Sequence, residues 1–169
     1  MNRNDIEELT SSRYYYTYQS PIGDLTLVSE KDSIIYCGLA PFPIELGINK
    51  KTPVIEDAYK QLLEYFNSDR YQFTIKLSPQ GTSFQQKVWK ELIKIPYGTT
   101  SSYIDIAKKI GNPQASRAIG YANHKNPILI FIPCHRVIGK NGNLTGFAAG
   151  LDNKRYLLNL EKNIDQSSK

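Results

Sequence analysis

Cysteine and histidine are scarce in this chain, which has only two residues of each type among its 169. Cys37 and Cys134 lie far apart, and no CxxC pair or histidine cluster accompanies them. A structural zinc site needs such closely spaced ligands, so we expect no metal and no cofactor. A disulfide between the two cysteines is disfavoured in a reducing compartment. Each cysteine is therefore treated as a free thiol.

Long apolar segments are also missing from the sequence. No run approaches the ~18 apolar residues that a membrane-spanning helix requires. Residues 1–10 are polar and acidic, unlike a secretory signal. We therefore expect a cytoplasmic protein without a membrane partner, nucleoid-associated in a bacterium or archaeon and nuclear in a eukaryote. Residues 162–169 are predicted to form a solvated, flexible tail.

Positive charge is concentrated in the second half of the chain. Residues 1–80 contain 8 lysine and arginine residues against 11 aspartate and glutamate residues, whereas residues 81–169 contain 13 against 5. This asymmetry favours a polyanionic partner for the second half only. A solvated basic surface without such a partner explains the charge equally well.

The first half of the chain, residues 1–80, has the pattern of a small α+β domain. Strands are predicted over 14–18, 25–28 and 33–37, which are rich in aromatic and β-branched residues and separated by turn sequences. The spacing of apolar residues predicts a helix over 53–67, and residues 71–77 resemble another strand. A turn sequence at 78–81 coincides with the change of charge, so the domain boundary is placed after residue 80. We expect a small antiparallel sheet here.

The second half, residues 81–169, is predicted to be mainly helical. Thr82 or Ser83 can cap a first helix, and Ser102 begins a second one with a capping-box sequence. Gly111 ends that helix, and a third follows with Asn112 as its N-cap and Pro113 in the first turn. Two short helices joined by a tight turn indicate a helix-turn-helix, although a plain αα-hairpin fits the same pattern.

The third predicted helix has an outer face suited to nucleic acid. Gln114, Arg117 and Tyr121 project on one side. A basic and aromatic face of this kind fits nucleic acid better than a protein core. The neighbouring face is small and apolar and permits close approach to a ligand; its residues are Ala115, Ala118, Ile119 and Ala122.

The chemistry-bearing segment is Pro133-Cys134-His135-Arg136-Val137, which follows the apolar run 128–132. We expect that run to be buried and extended. Positive charge beside Cys134 favours the thiolate, the form that attacks carbon. In an extended chain, however, Cys134 and His135 point to opposite faces and cannot touch. An inert buried cysteine therefore remains an alternative.

Two further segments complete the second half. Residues 146–150 form a small-residue loop that can admit a flat ligand, with Phe147 available for stacking. Asp152 is predicted to cap a final amphipathic helix ending at Glu161. A carboxylate at a helix C-terminus opposes the helix dipole, which indicates another partner for Glu161.

The ordered motifs of the second half resemble the methylated-DNA–protein-cysteine methyltransferase family. The match covers nearly all of the second half, whereas the first half matches loosely, through residues 20–25. The pentapeptide PCHRV after an Asn-Pro pair is the most specific part. The matching motifs are Gly81-Thr82-x-Phe84-Gln85, Val88-Trp89, Ile95-Pro96-Tyr97-Gly98, Ser102-Tyr103, Gly111-Asn112-Pro113, Arg117-Ala118-Ile119-Gly120, Asn126-Pro127, Pro133–Val137, Gly150-Leu151 and Glu161.

The resemblance implies a two-domain α/β architecture, with a winged-helix-like helix-turn-helix in the C-terminal domain and an N-terminal domain that braces it. Cys134 resembles the alkyl acceptor, and His135 with Glu161 resembles a water-linked relay that holds it as thiolate. Asn126 resembles a brace for the turn, and Tyr103 a residue that protonates the departing guanine. The expected DNA contacts are Ser102, Tyr103, Gln114, Ala115, Arg117, Ala118, Tyr121 and Arg136, and the expected base pocket is Val137, Phe147, Ala148 and Ala149.

The resemblance also implies a reaction and a partner. A monomer without an obligate protein partner would bind double-stranded DNA containing O6-alkylguanine, with O4-alkylthymine as a second candidate lesion. Arg117 would fill the gap left by the flipped base while Cys134 accepts the alkyl group, once per molecule. Ala148 stands where some relatives carry a hydroxyl, which puts side-chain recognition of the guanine oxygen in doubt. A thiol hydrolase and a non-catalytic lesion-binding or regulatory protein are the rival interpretations.

Overall fold

The computed structural model describes residues 13–39 and 47–163. The backbone divides into two compact units, residues 1–79 and residues 80–169. Along the described ranges, none of the helices combines the length and apolar character needed to cross a lipid bilayer. Most of the predicted tail, residues 164–169, and the acidic start at 1–10 lie outside the described residues.

The first unit contains a four-stranded sheet in the order β3-β2-β1-β4. Its strands are β1 (Arg13–Tyr18), β2 (Leu25–Glu30), β3 (Ser33–Leu39) and β4 (Ile48–Asn49). The first three pair antiparallel, as predicted, but β4 pairs parallel to β1. The sheet is therefore mixed rather than antiparallel. Sequence alternation defines which face of a strand is buried but not which strand lies beside it.

Helix α1 (Pro53–Phe66) follows the sheet and is capped by Thr52, whose hydroxyl accepts from the backbone N–H of Ile55. It buries Ile55, Ala58, Leu62 and Tyr65, which recur at helical spacing. The strand predicted over 71–77 is wrong. Only an isolated parallel bridge lies there, between Ile34 and Leu77. The N–H of Ile34 donates to the carbonyl of Lys76, and the carbonyl of Ile34 accepts from the N–H of Ser78.

The second unit begins with α2 (Ser83–Ile93), which has a complete capping box formed by Thr82 and Gln85. A second capping box, formed by Ser102 and Asp105, starts α3 (Tyr103–Lys109). Strand β5 (Ser101–Ser102) pairs in parallel with β6 (Val137–Ile138). The sequence predicted a cap at Thr82 or Ser83 and a capping box at Ser102, because a helix cap uses residues within one helical turn.

Helix α4 (Ser116–His124) completes the predicted helix-turn-helix. The predicted start at Asn112 and Pro113 is wrong, since residues 112–115 form a turn in which the N–H of Ala115 donates to the carbonyl of Asn112 at 3.0 Å. Helix α4 packs against α2 and α3. The indole N–H of Trp89 donates to the carbonyl of Ala122 at 3.0 Å and ties α4 to α2.

The last elements are a 3₁₀ turn (Cys134–Arg136) and helix α5 (Leu151–Lys162). The N-cap of α5 is Gly150 at a φ of 89°, so the prediction that Asp152 caps this helix is wrong. The apolar run 128–132 is buried, as predicted, but it is not extended. Ile130 has a φ of +72°, and the N–H of Ile132 donates to the carbonyl of Ile128 at 3.0 Å. This tight turn places the 3₁₀ turn beside the end of α4.

Candidate active site

Asn126 fixes the position of the Cys134 thiol. Its Nδ2 donates to the carbonyl of Ile132 at 2.8 Å and lies 3.2 Å from Sγ of Cys134, while its Oδ1 accepts from the N–H of Ile128 at 3.0 Å. One buried amide thus closes the 128–132 turn and also contacts the sulfur. This arrangement agrees with the bracing role that the family resemblance implies for Asn126.

Glu161 is the centre of a buried polar cluster. Its Oε1 lies 2.7 Å from Nε2 of His135, and its two oxygens accept from Arg136 at 2.9 and 3.0 Å. The N–H of Gly98 donates to the same carboxylate at 3.2 Å. The remaining guanidinium donor of Arg136 reaches the carbonyl of Ile95 at 2.7 Å. The unusual position of Glu161 at a helix C-terminus is explained by these partners.

The cluster defines which ring nitrogen of His135 is basic. Burial opposes ionisation of Glu161, but hydrogen bonds from His135 and Arg136 outweigh it and lower the pKa of the carboxyl to about 2. Burial lowers the pKa of His135, so its ring is neutral at pH 7. A neutral ring facing a carboxylate must donate from Nε2, which leaves the lone pair on Nδ1. Nδ1 is buried and has no partner among the described residues.

The thiol of Cys134 is protonated in this structure. Burial raises its pKa to about 11, although the hydrogen bond from Asn126 and the charge of Lys154 act in the opposite direction. The prediction that Arg136 favours the thiolate is wrong, because Glu161 neutralises the guanidinium. Deprotonation of this thiol requires a base, and Nδ1 of His135 is a basic nitrogen in the same 3₁₀ turn.

Lys154 is a site residue that the sequence reasoning missed. Its side chain is completely buried, and Nζ donates to the carbonyls of Val137 at 2.7 Å and Thr145 at 2.9 Å. Its charge also acts on Cys134. A signal was available, since Lys154 shares with Leu157, Leu158 and Glu161 the buried stripe of α5. Lysine in such a stripe is rare unless it is paired.

A cavity of about 360 Å³ opens beside α3 and α4. Tyr103 stands at its edge and donates from its hydroxyl to the carbonyl of Thr145 at 3.2 Å. The residues that line the cavity are Tyr103, Ser116, Arg117, Gly120, His124, Thr145 and Gly146. Of the predicted site residues it includes Tyr103 and Arg117; His124 and Thr145 were not predicted.

The predicted base-pocket residues do not share one environment. Val137 is fully buried in β6, and the ring of Phe147 lies 6.4 Å from the imidazole of His135. Ala148 is exposed and Ala149 half-buried in the loop before α5. None of these four residues lines the cavity described above.

The outer face of α4 agrees with the predicted DNA-binding surface. Gln114, Arg117, Ala118 and Tyr121 are all exposed. Two predicted DNA contacts need correction. Ala115 is buried in the turn that precedes α4. Arg136 is buried because its guanidinium is bonded to Glu161 and to the carbonyl of Ile95, which lie in the interior. Ser102 is half-buried and engaged as the N-cap of α3.

The described residues contain no group of three or more histidine, cysteine or acidic side chains that could hold a metal ion. Cys37 is fully buried, and burial raises the pKa of its thiol.

The second unit combines a helix-turn-helix that has a basic face with a buried set of cysteine, histidine and glutamate. This combination is typical of a class of DNA-binding proteins with a thiol acceptor. Family profiles match both halves of the chain. Residues 13–79 match the profile described as "6-O-methylguanine DNA methyltransferase, ribonuclease-like domain", and residues 83–163 match "6-O-methylguanine DNA methyltransferase, DNA binding domain". The chain belongs to the methylated-DNA–protein-cysteine methyltransferase family.

Individual relatives agree with this assignment. The chain is 45% identical over 152 residues to the methylated-DNA–protein-cysteine methyltransferase of Methanosarcina acetivorans, a match that covers 88% of this chain and 97% of the relative. The constitutive enzyme of that name from Bacillus subtilis is 45% identical over 157 residues, covering 88% and 95%.

Solved structures show the same fold. The crystal structure of the Mycobacterium tuberculosis O6-methylguanine methyltransferase has a TM-score of 0.82 and 44% identity, covering 89% of this chain and 93% of that one. The M. tuberculosis OGT in complex with DNA has a TM-score of 0.83 at 44% identity, covering 88% and 92%.

Proposed function

We propose that this protein repairs duplex DNA by transferring an alkyl group from O6-alkylguanine to Sγ of Cys134. The observation that carries the proposal is the thiol held at 3.2 Å by Asn126 within the turn that also contains His135. Family membership and the DNA complex of the M. tuberculosis relative support the choice of DNA as partner. O4-alkylthymine is a second substrate of the same chemistry. The protein acts as a monomer on the DNA.

The chemical step begins with the removal of the Cys134 proton. Because Nε2 of His135 donates to Glu161, Nδ1 takes this proton, through a bridging water. Sγ then attacks the alkyl carbon in line with the C–O6 bond, a C–S bond forms, and the bond to O6 breaks. The displaced guanine takes up one proton, which the hydroxyl of Tyr103 is placed to donate at the cavity edge.

The product state cannot return to the free thiol. A thioether has no acyl carbon for water to attack, so the reaction has no second half and each molecule acts once. This stoichiometry separates the proposal from a thiol hydrolase, which turns over. It also separates it from a non-catalytic lesion-binding or regulatory protein, which forms no covalent product.

We assign DNA recognition to the exposed face of α4. Arg117, Ala118 and Tyr121 are exposed on α4, and Gln114 is exposed in the turn that precedes it. The alkyl carbon lies inside the base stack of a duplex, so the nucleotide must leave the stack to reach Cys134. Arg117 lies both on this face and at the cavity, and it occupies the gap that the flipped nucleotide leaves.

Incubation with a duplex containing O6-benzylguanine should add one benzyl group per protein molecule. Mass spectrometry of peptides should locate the group on Cys134 and leave Cys37 unmodified, because burial keeps that thiol protonated. Repeated turnover, an unmodified Cys134, or modification of Cys37 instead would each contradict the proposed function.

Replacing Arg117 with alanine should slow transfer from duplex DNA while leaving transfer from the free base O6-benzylguanine unchanged. Flipping costs a few kcal/mol, and losing ~1.4 kcal/mol of the compensation corresponds to a tenfold lower rate. Rapid-quench measurement of both reactions tests this expectation. Arg155→Ala is the matched control, since Arg155 is exposed on α5 and pairs with Asp152. Equal slowing of both reactions would show that Arg117 does not act on flipping.

A further inference from the structure

Asn123 is a buried amide on α4 that the proposed mechanism does not use. Only 5% of its surface is exposed. Neither Nδ2 nor Oδ1 has a hydrogen-bond partner among the described residues. Buried amides in folded proteins are almost always bonded, so an unpaired one requires an explanation. A group that arrives with a ligand is one such partner.

The position of Asn123 relates it to both the cavity and the thiol. Ser116, Gly120 and Asn123 are at positions i, i+4 and i+7 of α4 and therefore share one face. The first two line the cavity. The carbonyl of Asn123 accepts from the N–H of Asn126 at 3.1 Å, and the side chain of Asn126 contacts Cys134 Sγ. Asn123 therefore shares a helix face with two cavity-lining residues, and its backbone is bonded to the residue whose side chain contacts the thiol.

In the proposed reaction the alkyl carbon reaches Sγ of Cys134 from the cavity that α4 lines. An approach along the Ser116–Gly120–Asn123 face brings the substituent of that carbon beside the Asn123 amide. An apolar substituent would leave both amide atoms unpaired, whereas a hydroxyl group can donate to Oδ1 or accept from Nδ2. A site with an unpaired buried polar group discriminates strongly against substrate analogues that cannot form a hydrogen bond with it.

We infer that Asn123 is a specificity-determining residue that selects O6 substituents with a hydroxyl group over apolar substituents of the same size. This inference rests on the proposed function, because it concerns the alkyl group that Cys134 accepts. The substrate class it favours is O6-(hydroxyalkyl)guanine in duplex DNA.

The test compares two isosteric lesions in the same duplex, O6-(2-hydroxyethyl)guanine and O6-propylguanine. The wild-type protein should transfer the hydroxyethyl group faster. Asn123→Leu keeps the shape of the side chain and removes its polar atoms, so the ratio of the two rate constants should fall by about tenfold or more. The same variant should unfold at a higher temperature, since it removes buried polar atoms that have no partner.

Two further variants make the result decisive. Asn159→Leu is the same exchange at an exposed position of α5, and its rate ratio should equal that of the wild type. Asn123→Ala provides the same comparison if the leucine variant does not fold. An unchanged ratio in a variant that still alkylates Cys134 would overturn the inference alone. Absence of any Cys134 alkylation in the wild-type protein would overturn the proposed function.

Discussion

Glu161→Gln should slow alkyl transfer by about 10²–10⁴-fold, the contribution that a positioned general base makes. A carboxylate only accepts hydrogen bonds, whereas a glutamine amide can also donate to Nε2 of His135. The ring tautomer with its lone pair on Nδ1 is then no longer enforced. Single-turnover rates on an O6-methylguanine duplex measure this loss. Binding of the same duplex should be unchanged, because the cluster is buried away from the exposed face of α4.

The same substitution should destabilise the fold. Arg136 would remain buried without its counter-charge, and removing one partner of a buried ion pair costs about 3–5 kcal/mol. Urea unfolding of the variant at pH 7 measures this cost. Glu91→Gln removes an exposed pair with Lys94 and is the matched control, with an expected change below about 1 kcal/mol.

The effect on stability should depend on pH with a defined sign. The pKa of Glu161 is lowered from 4.5 to about 2, so the unfolded chain binds this proton first as the pH falls. The stabilisation that ionised Glu161 gives to the folded state is complete above pH 5 and should decrease by about 2 kcal/mol by pH 3. The difference in the free energy of unfolding between the wild type and Glu161→Gln should narrow by the same amount. A pH-independent difference would show that the pKa of Glu161 is the same in the folded and the unfolded chain.

Lys154→Met should raise the pKa of the Cys134 thiol, because it removes the buried positive charge that acts on the sulfur. Each unit of increase lowers the thiolate fraction about tenfold at a fixed pH below the pKa. The rate of Cys134 labelling by iodoacetamide, followed against pH, should therefore shift to higher pH. The alkyl-transfer rate at pH 7 should fall for the same reason, by about tenfold for each unit of increase.

A purely structural role for Lys154 predicts a different result. Loss of the bonds to the carbonyls of Val137 and Thr145 should cost about 1–3 kcal/mol of stability by itself. If the variant is less stable but its pH profile matches the wild type, the charge does not act on the thiol. Lys162→Met, at an exposed position at the end of α5, is the control for the loss of a lysine from this helix.

The elements predicted best from the sequence are those whose stabilising partners lie close along the chain. The capping boxes of α2 and α3 use side chains three residues apart, and the buried stripe of α1 follows the helical period. The exposed face of α4 could be predicted because its residues recur at the same period. The start of α4 could not, since residues 112–115 satisfy the capping preferences of a helix and of a turn alike.

The sequence by itself identified the candidate nucleophile and the candidate DNA-facing surface. Cys134 stands beside His135 in a specific motif, and the positive charge lies in the same half of the chain. These features follow from neighbouring residues and from composition.

The tertiary structure alone decided the environment of the thiol. The turn at Ile130, the burial of Arg136 and the positions of Lys154 and Asn123 were not predicted. Arg136 meets Glu161 across 25 positions of sequence, and Lys154 meets Val137 across 17. No local pattern specifies such pairs, because their free energy depends on desolvation and on partners that only folding brings together. Cys134 was identifiable as the candidate acceptor from its motif, but the raised pKa of its thiol follows from the packed interior.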